Sequence, residues 1–155
     1  MRRVLLSLCV CLSLFFTACA AAPSPEEFQK RAENALPSMA GVWYTDEAEP
    51  WEKGYLSEEI ESRFFGETEM TGVCYRLFLG TDDEQMAELL IASFETETDA
   101  VRAAEHLAAR LSALQARAGE EFSLSLSDAA VYRKGRTVLY TAMPYNEKVI
   151  ALFKR

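Results

Sequence analysis

Residue types that often carry chemistry are scarce in this chain. Its 155 residues include one histidine, His106, and four cysteines, Cys9, Cys11, Cys19 and Cys74. A multi-histidine zinc site is excluded by count. There is no Cys-x-x-Cys pair, Gly-x-Ser-x-Gly elbow or Gly-rich phosphate loop, so redox-dithiol, α/β-hydrolase and P-loop chemistries lack their usual frames. Basic residues are in the minority, 16 Lys and Arg against 24 Asp and Glu. A surface of that sign repels nucleic acid and anionic lipid head groups. No apolar run reaches the roughly 20 residues that a membrane-spanning helix requires; the one from Val4 to Phe16 covers 13, broken only by Ser7 and Ser13.

That short run has another meaning. It follows Met1-Arg2-Arg3 and leads into Phe16-Thr17-Ala18-Cys19. A basic start, an apolar core and small residues at a cut form an export signal. Phe16-Thr17-Ala18-Cys19 resembles the lipobox of bacterial lipoproteins, in which the cysteine thiol takes a diacylglycerol and becomes the first residue of the mature chain. Two or three acyl chains meet the two-signal requirement for stable anchoring. The alternative is an ordinary signal peptide, cut at one of the steps from Ala18 to Ala22. Residues 1–18 are thus expected to be a lipoprotein signal peptide, 19–23 the lipidated Cys19 with a short tether, and 24–155 one globular domain. Cleavage leaves 155 − 18 = 137 residues and, with Arg2 and Arg3 lost, a net charge near 14 − 24 = −10. It also leaves Cys74 as the only thiol not consumed by lipid, so no internal disulfide can form. Cys74 lies in an apolar strand-like stretch and is read as a small buried hydrophobe.

Ser24-Pro25-Glu26-Glu27 opens a helix with a capping box. Phe28, Ala32, Ala35 and Leu36 give its apolar face, and Pro37 ends it. From Gly41 to Gly66, aromatic residues alternate with acids and the chain reads as irregular, apart from a short helix starting at Ser57. Met70 to Leu79 and Ala87 to Phe94 read as the strands of a hairpin around the turn Gly80-Thr81-Asp82-Asp83. Thr81-Asp82-Asp83-Glu84 lacks the spacing and central glycine of a calcium loop, so no metal site and no cofactor is expected. A long helix follows from Thr98, its cap, to about Ala118, with Val101, Ala104, Ala108, Leu111 and Leu114 as its stripe and Gly119 as its stop. His106 falls on its polar side with Arg102 and Arg110, as a solvated residue. Phe122 to Leu126 alternates as a short strand or a turn of helix. Ala129 to Arg133 and Arg136 to Met143 flank Lys134-Gly135 as a second hairpin. Asn146 caps a short terminal helix over Lys148 to Phe153.

Two hairpins separated by a helix predict an α+β fold: an antiparallel sheet with a long helix between the hairpins, N-terminal and short C-terminal helices, and helices packed mainly on one face. The first hairpin is apolar on both faces, so something must cover the second. The candidates are the chain's own Trp43–Phe65 segment and a partner.

Three places resemble a family of small Gram-positive lipoproteins, the domain of unknown function 4358. They are the lipobox, the strand Ala87 to Phe94 feeding the helix near Thr98, and the Ala130–Leu139 hairpin with its Lys134-Gly135 turn. The resemblance covers roughly Met70 to Arg155, and departs from the family's Tyr- and Pro-containing segment around Phe122. It implies a fold and a cell-envelope setting and carries over no catalytic residue.

The functional expectation is a membrane-anchored extracytoplasmic module, non-catalytic, held by its N-terminal lipid and binding an envelope protein or wall component but no nucleic acid. Its expected surface is Trp43, Tyr44, Trp51 and Tyr55. The alternative is a small carboxylate-dependent hydrolase of wall glycans, using acids among these aromatic residues across a sugar-sized cleft.

Overall fold

A computed structural model describes residues 21–68, 70–81, 87–117 and 126–155. The expected signal segment with Cys19, the turn residues Asp82 to Glu84 and the alternating stretch Phe122 to Ser125 lie outside the described residues. The elements are α1 (Pro25–Ala35), β1 (Gly41–Thr45), α2 (Glu58–Phe65), β2 (Cys74–Gly80), β3 (Glu88–Ser93), α3 (Glu97–Arg117), β4 (Ala130–Lys134), β5 (Thr137–Ala142) and α4 (Asn146–Lys154). The five strands form one antiparallel sheet in the order β1-β2-β3-β5-β4. The α+β class is as the sequence predicts.

Local signals set most of these elements. Ser24 caps α1 by accepting from the Glu27 amide, and Pro25 occupies the first helical position, where its missing N–H costs nothing. The Glu27 carboxylate turns to Arg31 one helical turn on instead of closing the capping box. Ser57 caps α2. The cap of α3 is Thr96, whose Oγ1 accepts from the Asp99 amide at 3.1 Å, two residues before the expected Thr98. Gly135, at φ 58°, makes the β4–β5 turn, a backbone state that a side chain would oppose.

Packing differs from the one-sided expectation. Every residue of β5, and every residue of β3 but Ser93, is buried. That requires helices on both faces. On the first face α2 and α3 meet Tyr75, Leu77, Leu90, Ala92, Val138 and Tyr140, through Phe64, Phe65, Leu107, Leu111 and Leu114. On the second face α1 and α4 meet Phe78, Leu89, Ile91 and Leu139, through Phe28, Ala32, Val149 and Phe153. The second face is therefore covered mainly by the two terminal helices, while the Trp43–Phe65 segment sends Phe64 and Phe65 to the first face and only Trp43 to the second. Each fully buried large side chain, such as Phe28, contributes about 1.5–3 kcal/mol. Both helices are short, and a short amphipathic helix does not announce which surface it will cover.

Two further expectations need correction. Gly41–Thr45, read as irregular, is an edge strand paired from Gly41↔Gly80 to Thr45↔Arg76. The buried stripe of α3 is Ala100, Ala103, Leu107, Leu111 and Leu114, while Val101 is 37% exposed. Small alanines in the first two turns let the helix lie close to the sheet, and this sets its rotation ahead of the bulk of Val101.

Candidate functional site

The four aromatic residues singled out in the sequence are not gathered on one surface. Neighbours in a strand point to opposite faces. Trp43 therefore lies on the α1/α4 side, its ring 5.3 Å from Phe78, and Tyr44 packs against the α2/α3 cluster. Trp51 and Tyr55 sit in the segment after β1, 81% and 41% exposed. That segment is tightly built. The Thr45 amide donates to the Gly54 carbonyl at 3.0 Å, the Glu52 amide to Glu49 at 2.8 Å and the Tyr55 amide to Glu52 at 3.1 Å.

A buried arginine pins the same segment. Arg76, 5% exposed, donates to the Asp46 carboxylate and to the Glu47 carboxylate, each at 2.8 Å. Asp46 also accepts from the Tyr75 amide at 2.8 Å. Two of the acids in the aromatic stretch are thus engaged in structure, and Glu49, Glu52, Glu58 and Glu59 are exposed. Cys74 is exposed rather than buried. It begins β2 on the side of Arg76 and Phe78, at a sheet corner that leaves it open. Partial desolvation and then the nearby Asp46 charge push its thiol up from the ordinary value.

At the other end of the same sheet face is an apolar groove of about 250 Å³. Ala32, Glu33 and Leu36 come from the end of α1, and Pro37, Ser38 and Met39 from the turn that follows. Trp43, Phe78 and Leu89 come from three adjacent strands, and Met143 from the end of β5. The local sequence explains the opening. Leu36 takes an extended conformation before Pro37, so α1 stops short and a groove opens past its end, although Phe78 and Leu89 beneath it stay buried. The floor depends on Gly41: a Cβ there would lie 2.3 Å from the Phe78 ring. Eight of the ten lining residues are apolar, and Glu33 is the only ionisable one.

A second polar cluster was missed in the sequence. Glu88, 6% exposed, accepts from Arg110 through both carboxylate oxygens and from the Tyr140 hydroxyl at 2.6 Å. The Arg110 guanidinium also lies 4.5 Å from the Phe64 ring centre. Burial, then the Glu88 charge, raises the Tyr140 phenol far above its ordinary range. Arg110 is itself raised: burial opposes its charge, but the hydrogen bond and charge of Glu88 outweigh that. The signal was Glu88, a lone charge at the head of an apolar strand. His106, one turn before Arg110, is half-buried, its Nε2 3.1 Å from the Arg63 carbonyl. Every buried side-chain polar atom among the described residues has a partner.

Among the described residues no group of three or more His, Cys, Asp or Glu is placed to hold a metal ion, and no helix is long and apolar enough to cross a membrane. Comparison with protein-family models, with curated proteins and with solved structures finds no match to this chain.

Proposed function

We propose that the chain is an extracytoplasmic lipoprotein, anchored through Cys19 and related to the lipoprotein family it resembles. In this reading it is a non-catalytic binding module of the cell envelope whose site is the groove beside Trp43. The observation that carries the reading is the placement of that groove relative to the N-terminus. Ala22 already packs against the second core cluster, and Pro23 and Pro25 are buried. Three residue steps separate Cys19 from Ala22, a reach of at most about 11 Å. Helix α1 then carries the chain across the sheet for its 11 residues, about 16 Å, and the groove opens at its far end. A lipid on Cys19 would hold the Ser24 end of the domain at the membrane and leave the groove facing outward. Trp43 belongs to this site. Trp51 and Tyr55 follow Thr45, which pairs with Arg76 at the opposite end of the sheet. The hydrolase reading draws no support from the acids around them, which are salt-bridged or exposed.

Photo-crosslinking in producer cells tests this. A crosslinker at Ser38, on the groove rim, is expected to trap an envelope component, and Cys19→Ala should release the protein from the membrane fraction and abolish that product. Crosslinks from position 51 but not from 38 would move the site to the loop. Membrane retention of Cys19→Ala would remove the anchor.

A further inference from the structure

We infer that the groove receives one large apolar side chain of an extracytoplasmic polypeptide, flanked by a lysine or arginine that meets Glu33. This rests on the reading of the groove as the binding site and adds the class of partner.

Size decides first. A dry cavity of about 150 Å³ holds a benzene ring, and sites for drug-sized ligands start at about 300 Å³. At about 250 Å³, the groove has room for a single Phe or Leu side chain and is small for a drug-sized ligand. That is the dimension of an anchor pocket in a protein–protein contact, where one desolvated apolar residue supplies most of the affinity. The walls agree. Met39 and Met143 are unbranched and polarisable, so they adapt to an inserted side chain, and Trp43 adds an aromatic wall. A glycan would need several polar groups along the walls, where only Glu33 and Ser38 supply polar side chains.

Charge decides next. Glu33 is exposed at the rim. Its Oε1 accepts from Gln29 at 2.9 Å, and its second oxygen is left for a donor beside the groove. The chain as a whole carries net charge −8. That field draws basic segments and opposes both a second copy of this chain and an acidic peptide.

The test uses the full-length lipidated protein in nanodiscs, with empty nanodiscs as the control. Three fluorescein-labelled peptides are titrated by anisotropy: Gly-Lys-Gly-Phe-Gly-Lys-Gly, the same with Ala for Phe, and the same with Glu for both Lys. The first is expected to bind, with the Ala peptide at least about tenfold weaker because the apolar anchor is gone. The Glu peptide should be about threefold weaker, as suits an exposed charge pair. Glu33→Lys, on the solvent side of α1, should reverse the Lys-over-Glu order without changing thermal unfolding. Trp43→Ala should remove the preference for Phe over Ala. If Trp43→Ala fails to fold, Glu33→Lys still decides the charge half. Equal binding of the Phe and Ala peptides would overturn the anchor, and equal binding of the Lys and Glu peptides would overturn the role of Glu33. No binding of any peptide overturns the proposal. So do dimers in sedimentation equilibrium that Trp43→Ala abolishes, which would make a second copy the occupant. A failure of lipid anchoring appears in fractionation of Cys19→Ala and leaves the peptide order unchanged.

Discussion

Replacing Arg110 with methionine probes the contact between α3 and the sheet at its most exacting point. Methionine keeps apolar bulk over the Phe64 ring and deletes the guanidinium. Glu88 would then be left with one donor, the Tyr140 hydroxyl at 2.6 Å. The Arg110 and Glu88 side chains retain 16% and 8% of their exposure, so the pair is largely desolvated. Removing one partner of such a pair costs about 3–5 kcal/mol, because the surviving charge stays buried. The residual exposure of Arg110 favours the lower end, about 3 kcal/mol, against a total stability of about 5–15 kcal/mol. For a domain of this size that lowers the unfolding midpoint by about 10 °C. Urea and thermal unfolding followed by circular dichroism would measure it. The triple variant Glu88→Leu, Arg110→Met, Tyr140→Phe removes every polar member together. It is expected to be more stable than Arg110→Met alone, since no unpaired group remains. If Arg110→Met costs less than about 1 kcal/mol, or if the three single losses simply add, the cluster is solvated and the reasoning fails.

Other outcomes follow from buried and exposed groups elsewhere. Burial holds the phenols of Tyr75 and Tyr140 above the ordinary value of 10.0. A raised folded-state value means the stability they carry is complete below about pH 10 and is lost as the pH rises further. In an alkaline titration of phenolate absorbance, these two of the six tyrosines should ionise only as the fold is lost; six phenols titrating together would contradict their burial. Cys74 is exposed with a raised thiol, so iodoacetamide should modify it in the native protein, more slowly than free cysteine at pH 8 and faster as the pH rises. A thiol that reacts only in denaturant would contradict this. Asn146 accepts from the Thr141 hydroxyl at 2.6 Å and from the Met143 amide at 2.9 Å. Asn146→Ala strands both donors in a buried turn and should cost about 2 kcal/mol by urea unfolding, whereas Trp51→Ala, at 81% exposure, should stay within about 0.5 kcal/mol.

What the sequence by itself determined is what rests on near neighbours. Ser24 and Ser57 are read as helix starts because a cap bonds to an amide three residues on. The hairpin turn at Gly135 is legible because one residue must take positive φ. The export address proposed for residues 1–19 likewise rests on a run of local chemistry, so it can be proposed before any fold is known. Tertiary structure alone decided the rest, because those states belong to pairs of segments far apart in the chain. Gly41–Thr45 is a strand only because residues 76–80 offer it a ladder. Arg110 is largely covered because Glu88 and Tyr140 stand opposite, and His106 is half-buried because Arg63 does. Trp43 and Tyr44, adjacent in sequence, part to opposite faces once that edge strand forms. The groove exists because α1, stopped at Leu36 before Pro37, packs across a face it does not fully cover. A stop is a local event; the groove beside it is set by which strands and which turn the stop brings together.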